Sequence, residues 1–163
     1  MTTAELKAPV QPAIRPLALE RGTFLTTDLA RARLMFEEVL DLECVRYERD
    51  ALLVRERGHN AGELRAGEPY WVLEVREVSV IANPQAMLNH WGVFVSSQGN
   101  VDRAYQALVD NKDRYGILRV QRPCSAHGAY SFYFQDADSN WWEVEHRIVK
   151  RQYESLRERG DAV

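Results

Sequence analysis

The chain has 163 residues, of which 45% are apolar, 28% charged and 10% aromatic, a composition that suits one globular domain or two small modules and excludes a disordered or collagen-like chain. Its 21 Lys and Arg against 24 Asp and Glu leave a net charge of −3, so no basic field exists to hold nucleic acid, and no nucleic-acid partner is expected. No apolar run approaches the ~20 residues that span a bilayer, and the N-terminus lacks a secretory-type apolar stretch, so the expectation is a cytoplasmic protein with no membrane partner.

Residues 1–18 carry three of the six prolines, each of which fixes φ and removes a backbone donor, and read as a loose arm. A β run follows over Gly22 to Thr26, and Thr27 or Asp28 is placed to cap a helix in which Leu29, Ala32, Met35, Phe36, Val39 and Leu40 recur at helical spacing. Extended stretches come next over Leu42 to Arg49 and Leu52 to Glu56. A polar loop from Gly58 to Gly67 then leads to Tyr70 to Glu77, which is rich in aromatic and β-branched residues. The order is β-α-β-β-β.

That order returns. His90 to Ser96 reads as a strand, Val101, Ala104, Tyr105, Leu108 and Val109 as one face of a helix, and Leu118 to Gln121, Tyr130 to Gln135 and Trp141 to His146 as three more extended stretches. Arg21 and His90 stand 69 residues apart, as do Glu74 and Glu143, so two landmarks repeat without a gap. The modules are assigned to 19–80 and 86–146. Over 147–163, Val149, Tyr153 and Leu156 share a side among many charges and predict a peripheral C-terminal helix. Cys44 and Cys124 lie in strand-like runs without C-x-x-C spacing, which predicts free thiols.

The segments "GTFLTTDLARARLMFEEVLDLE", "NHWGVFV" and "SFYFQDADSNWWEVE" resemble the opening, the metal-binding strand and the closing signature of the vicinal oxygen chelate superfamily. This group includes glyoxalase I, bleomycin and fosfomycin resistance proteins and type I extradiol dioxygenases. The likeness covers about residues 19–146 and departs from the closing signature at Ala137, where the family has Pro, and at Ser139, where it has Gly. It implies an α+β fold of two tandem βαβββ modules forming a glyoxalase-like cupped sheet, with metal-ligand slots at Arg21, Glu74, His90 and Glu143.

Of these slots, imidazole and carboxylate donate lone pairs to a cation, whereas guanidinium stays protonated and does not. The implied metal set is His90, Glu143 and Glu74. One nitrogen with two carboxylates suits Fe²⁺ or Mn²⁺, with Zn²⁺ and Ni²⁺ as further candidates. Glu145 shares the face of Glu143 by period two and competes with it, while Glu74 is alternatively an ordinary ion-pair partner. Arg21 either neutralises a carboxylate in a metal-free pocket or clamps an anionic substrate group. By resemblance to the ring-cleaving members, Tyr133 hydrogen-bonds substrate oxygen and His127 handles protons. Tyr130 and Trp141 either contact an aromatic ligand or fill the core. His59 and His146 receive no role.

Two functions follow. One is a divalent-metal enzyme, extradiol-dioxygenase-like or glyoxalase-like, that chelates adjacent oxygens of a small molecule. The other is a metal-free protein that sequesters a small ligand, as bleomycin-resistance proteins do. A homodimer is expected in either case.

Overall fold

The computed structural model describes residues 21–56 and 72–148. The N-terminal arm, the Gly58 to Gly67 loop with Tyr70 and Trp71, and the helix expected beyond Ile148 lie outside the described residues.

The first half comprises β1 (Arg21–Thr26), α1 (Leu29–Glu38), β2 (Leu42–Glu48), β3 (Ala51–Glu56) and β4 (Val72–Glu77). Asp28 caps α1, its carboxylate accepting the Arg31 N–H at 3.0 Å, and the stripe Leu29, Ala32, Met35 and Phe36 is buried against the sheet. The sheet order is β1-β4-β3-β2, with β1 parallel to β4 and the other pairs antiparallel.

The second half comprises β5 (His90–Phe94), α2 (Gln98–Asp110), α3 (Lys112–Tyr115), β6 (Arg119–Val120), β7 (Cys124–Ala126), β8 (Ala129–Gln135) and β9 (Trp141–Arg147). Its order, β5-β9-β8-β6, repeats the first sheet, and β7 adds a short hairpin partner to β8. The one-turn α3 and strand β7 have no counterpart in the sequence expectations. Cys44 is buried, Cys124 is exposed, and both are free thiols. No helix among the described residues is long and apolar enough to cross a membrane.

The strand register carries the repeat through both sheets. Arg21 pairs with Val72 and Thr23 with Glu74; 69 residues later His90 pairs with Trp141 and Gly92 with Glu143. The helix caps Asp28 and Ser97 keep the same offset.

One core joins the halves. The Phe24 ring lies 5.0 Å from Trp91 and stacks on Trp142 at 5.2 Å, while Phe36 meets Trp142 edge-on at 5.6 Å. The 136–140 turn is a polar staple beside it. Asp136 accepts the Asn140 N–H and side chain and the Trp142 indole N–H. Burial pushes the Asp136 carboxyl up against the opposing pull of these donors.

Candidate metal and ligand site on the second sheet

Alternation along β9 sends Trp142 and Val144 into the shared core, and turns Trp141, Glu143 and Glu145 to the other face. There the His90 Nε2 lies 3.2 Å from Glu143 Oε2, the two side chains being 27% and 13% exposed. His90 Nδ1 is 2.9 Å from the Met87 carbonyl. A carbonyl only accepts, so Nδ1 carries hydrogen and donates to it, which fixes the ring and turns Nε2 on the carboxylate. A lone pair facing a carboxylate is repulsive unless a proton or a metal ion lies between them.

Tyr133 on β8 stands directly opposite Glu143, its ring 4.9 Å from His90 in an edge-on contact. Burial, then hydrogen bonding to Glu143, push the Tyr133 phenol up to about 12, so it is a hydrogen-bond donor and not a base at neutral pH. Trp141 is buried and pairs with His90 in the register, flanking the site. Glu145 is occupied by Arg147 at 2.9 Å. Gly92, exposed and opposite Glu143 in the register, adds no side chain to that face.

In the first half, Glu74 is buried with partners of its own. Arg76 lies 2.6 Å from it, Thr23 donates to it at 3.3 Å, and the Tyr47 hydroxyl donates to the oxygen that faces Arg76. That hydrogen bond, with burial behind it, pushes the Tyr47 phenol up. Among the described residues, no three His, Cys, Asp or Glu side chains form a metal-holding group, so Glu74 does not cluster with His90 and Glu143.

The other predicted residues are dispersed. The backbone of Arg21 opens β1 opposite Val72, and its side chain lies outside the described residues. Tyr130 shares the helix-facing parity of Phe132 and Phe134, and its hydroxyl donates to Asp102 of α2 at 2.7 Å, away from the His90 face. His127 is exposed in the turn between β7 and β8 with φ +51°, six residues before Tyr133, or roughly 20 Å along a strand. Sequence reasoning passed over Thr23, Tyr47 and Arg76. Arg76 was within reach of it, since i and i+2 of a strand share a face. Tyr47 was not, because it sits at a register shift between Arg46 and Glu48.

The donor chemistry of the second half fits a divalent ion. Two ligands each about 2.1 Å from one ion and near a right angle stand about 3.0 Å apart; His90 and Glu143 are separated by 3.2 Å. Glu74, already neutralised, does not fit in the same way.

Solved structures share this architecture. A possible glyoxalase from Bacillus cereus matches with a TM-score of 0.58 and 21% identity over 79% of this chain and 98% of that one. The fosfomycin resistance protein FosX from Mesorhizobium loti matches at 0.58 and 18% identity, over 85% and 99%. A variant of FosX from Listeria monocytogenes, in complex with Mn(II) and 1S,2S-dihydroxypropylphosphonic acid, matches at 0.59 and 13%, over 88% and 99%.

The chain has the glyoxalase-like fold. The α+β architecture expected from the vicinal oxygen chelate resemblance is therefore present. No protein-family model matches the sequence, and no curated protein matches it. Within the glyoxalase-like fold, the His90, Tyr133 and Glu143 grouping occupies one sheet face, built by adjacent strands β5, β9 and β8.

Proposed function

We propose that the protein is a divalent-metal-dependent enzyme acting on a small molecule with adjacent oxygens, and that His90 and Glu143 hold the ion. The observation that carries this reading is the pair itself: an imidazole locked through Nδ1 on Met87 and aimed through Nε2 at a carboxylate 3.2 Å away. FosX, a neighbour in fold, is seen with Mn(II) and a vicinal diol, which supports Mn²⁺ or Fe²⁺ over Zn²⁺ or Ni²⁺ for an oxygen-rich set. The ion would supply Lewis-acid stabilisation of charge developing on substrate oxygen.

The residues of the chain do the rest. Tyr133 keeps its proton and donates to an oxyanion beside Glu143, the role that the dioxygenase resemblance assigns to it. Trp141 walls the site with apolar surface suited to an aromatic substrate. Arg21, at the register position that His90 takes in the second half, is the proposed clamp for an anionic substrate group. Tyr130 and His127 drop out of the proposed machinery on their placement. The working unit is proposed to be a cytoplasmic homodimer.

The test is metal analysis of protein purified without chelator, followed by Mn²⁺ titration of wild type and His90→Ala. Stoichiometric metal in the wild type, with affinity lost at least tenfold in the variant, is the expected result. Metal-free wild type that also ignores added Mn²⁺, Fe²⁺, Zn²⁺ and Ni²⁺ would overturn it. The ion pair of Arg76 with Glu74 favours a second reading, a metal-free small-molecule-binding protein in which His90 and Glu143 contact each other directly.

A further inference from the structure

The two halves treat corresponding carboxylates in opposite ways. Glu74 and Glu143 occupy the same register position 69 residues apart. Opposite Glu143 stands Gly92, with no side chain; opposite Glu74 stands Thr23, whose hydroxyl donates to it at 3.3 Å. Two residues beyond Glu143 stands another carboxylate, Glu145; two residues beyond Glu74 stands Arg76, whose Nη2 is 2.6 Å from Glu74 Oε1. Arg76 is itself held in place, by Glu48 at 3.1 Å and by donation to the Tyr47 hydroxyl at 2.9 Å. The Glu74 side chain is only 4% exposed, so its charge depends on these partners.

We infer that Arg76 is the resident counter-ion of Glu74: its guanidinium fills the place a divalent ion would need, excludes such an ion from the first half, and confines metal binding to the His90 and Glu143 half. The physical reason is charge. A cation placed against Glu74 would meet a fixed positive group a few ångströms away, beside a carboxylate too buried for solvent to screen the repulsion fully. Removing the guanidinium leaves two carboxylates, Glu74 and Glu48, near a vacated volume lined by oxygen donors, which is the kind of set that Mn²⁺ takes. The inference rests on the proposed function for where an ion binds in the wild type, but not for what Arg76 does to Glu74.

The experiment is Mn²⁺ titration of the full-length, chelator-stripped chain, read by the electron paramagnetic resonance signal of free Mn²⁺. The proteins compared are wild type, Arg76→Gln, Arg76→Met, Arg76→Lys and the double variant Arg76→Gln/Glu74→Gln, with folding checked by far-UV circular dichroism. Either neutral replacement is expected to add a Mn²⁺ site or to raise affinity at least tenfold. Arg76→Lys, which keeps the charge, should bind as the wild type does, and Glu74→Gln should abolish the gain. Unchanged binding in a folded neutral variant, or a gain that survives Glu74→Gln, would overturn the inference. A wild type that binds no Mn²⁺ beside an Arg76→Gln that does would defeat the proposed function and leave standing the exclusion of an ion from Glu74 by Arg76.

Discussion

Asp138, in the turn before β9, reaches across to the end of β1 and accepts the Thr26 hydroxyl at 2.6 Å. Its second oxygen accepts both the Thr27 N–H at 2.9 Å and the Thr27 hydroxyl at 2.7 Å, with Arg31 3.7 Å away. This buried carboxylate is a polar rivet between the halves, next to the Phe24 and Trp142 stack. Hydrogen bonds to a charged group are worth about 1.5–3 kcal/mol each, and truncation takes this acceptor from the buried Thr26 hydroxyl. Asp138→Ala is therefore expected to cost about 3 kcal/mol in urea unfolding. A loss below about 1 kcal/mol would show that the apolar core alone joins the halves.

Tyr133 gives a pH signature. Its folded phenol is raised to about 12 from an ordinary 10.0, by burial first and by Glu143 second. The folded chain thus holds this proton more tightly than the unfolded chain does, so the contribution is intact below pH 10 and is lost as the pH rises toward 12. Tyrosinate absorbance near 295 nm should show a late-titrating group that disappears in Tyr133→Phe. Glu143→Gln removes both the acceptor charge and the repulsion of the phenolate, and should move that titration down. An unmoved titration in Glu143→Gln would separate the two side chains.

Gly92 and Thr23 are register equivalents, and the difference between them is testable. A Cβ at Gly92 would meet Glu145 Oε1 at 3.5 Å, an ordinary contact, so Gly92→Thr should fold as well as the wild type. Its hydroxyl would then stand at the register position opposite Glu143 that Thr23 holds opposite Glu74. Mn²⁺ affinity is expected to fall about tenfold, the equivalent of one hydrogen bond of about 1.4 kcal/mol competing for the carboxylate. Gly92→Ala, with no hydroxyl, should bind near the wild-type level. Equal loss in both variants would point to crowding instead.

The fold was legible because repetition and parity are properties of the chain itself. The 69-residue spacing of Arg21 with His90 and Glu74 with Glu143 anticipates the strand register, since residues at equal offsets in equal modules must pair alike. Parity also places Glu143 and Glu145 together. It also places Tyr130 with Phe132 and Phe134 on the helix side, the core-filling one of the two roles that the aromatic content left open. What escaped depends on contacts between distant segments: Tyr47 reaching Glu74 from a register shift, and Asp138 riveting Thr26 across 112 residues. The short β7 and α3 escaped because three or four residues carry too little periodicity to be read.

Ser139 holds a left-handed backbone conformation in the turn before β9 without being a glycine. Its φ is +67°, in the left-handed region, where a side chain costs roughly 1–2 kcal/mol that glycine does not incur. The turn holds because Asp136 clamps it from within: its backbone carbonyl accepts the Ser139 N–H, and its Oδ1 accepts the Asp138 and Asn140 N–H groups. Ser139→Gly should thus relieve more strain than the added entropy of its unfolded chain costs, raising stability by about 0.5–1 kcal/mol in urea unfolding. Ser139→Val, β-branched at the same φ, should lower it by more than that. A destabilised glycine variant would mean that the serine side chain makes a contribution exceeding its strain, and that serine is itself a stabilising feature of this turn.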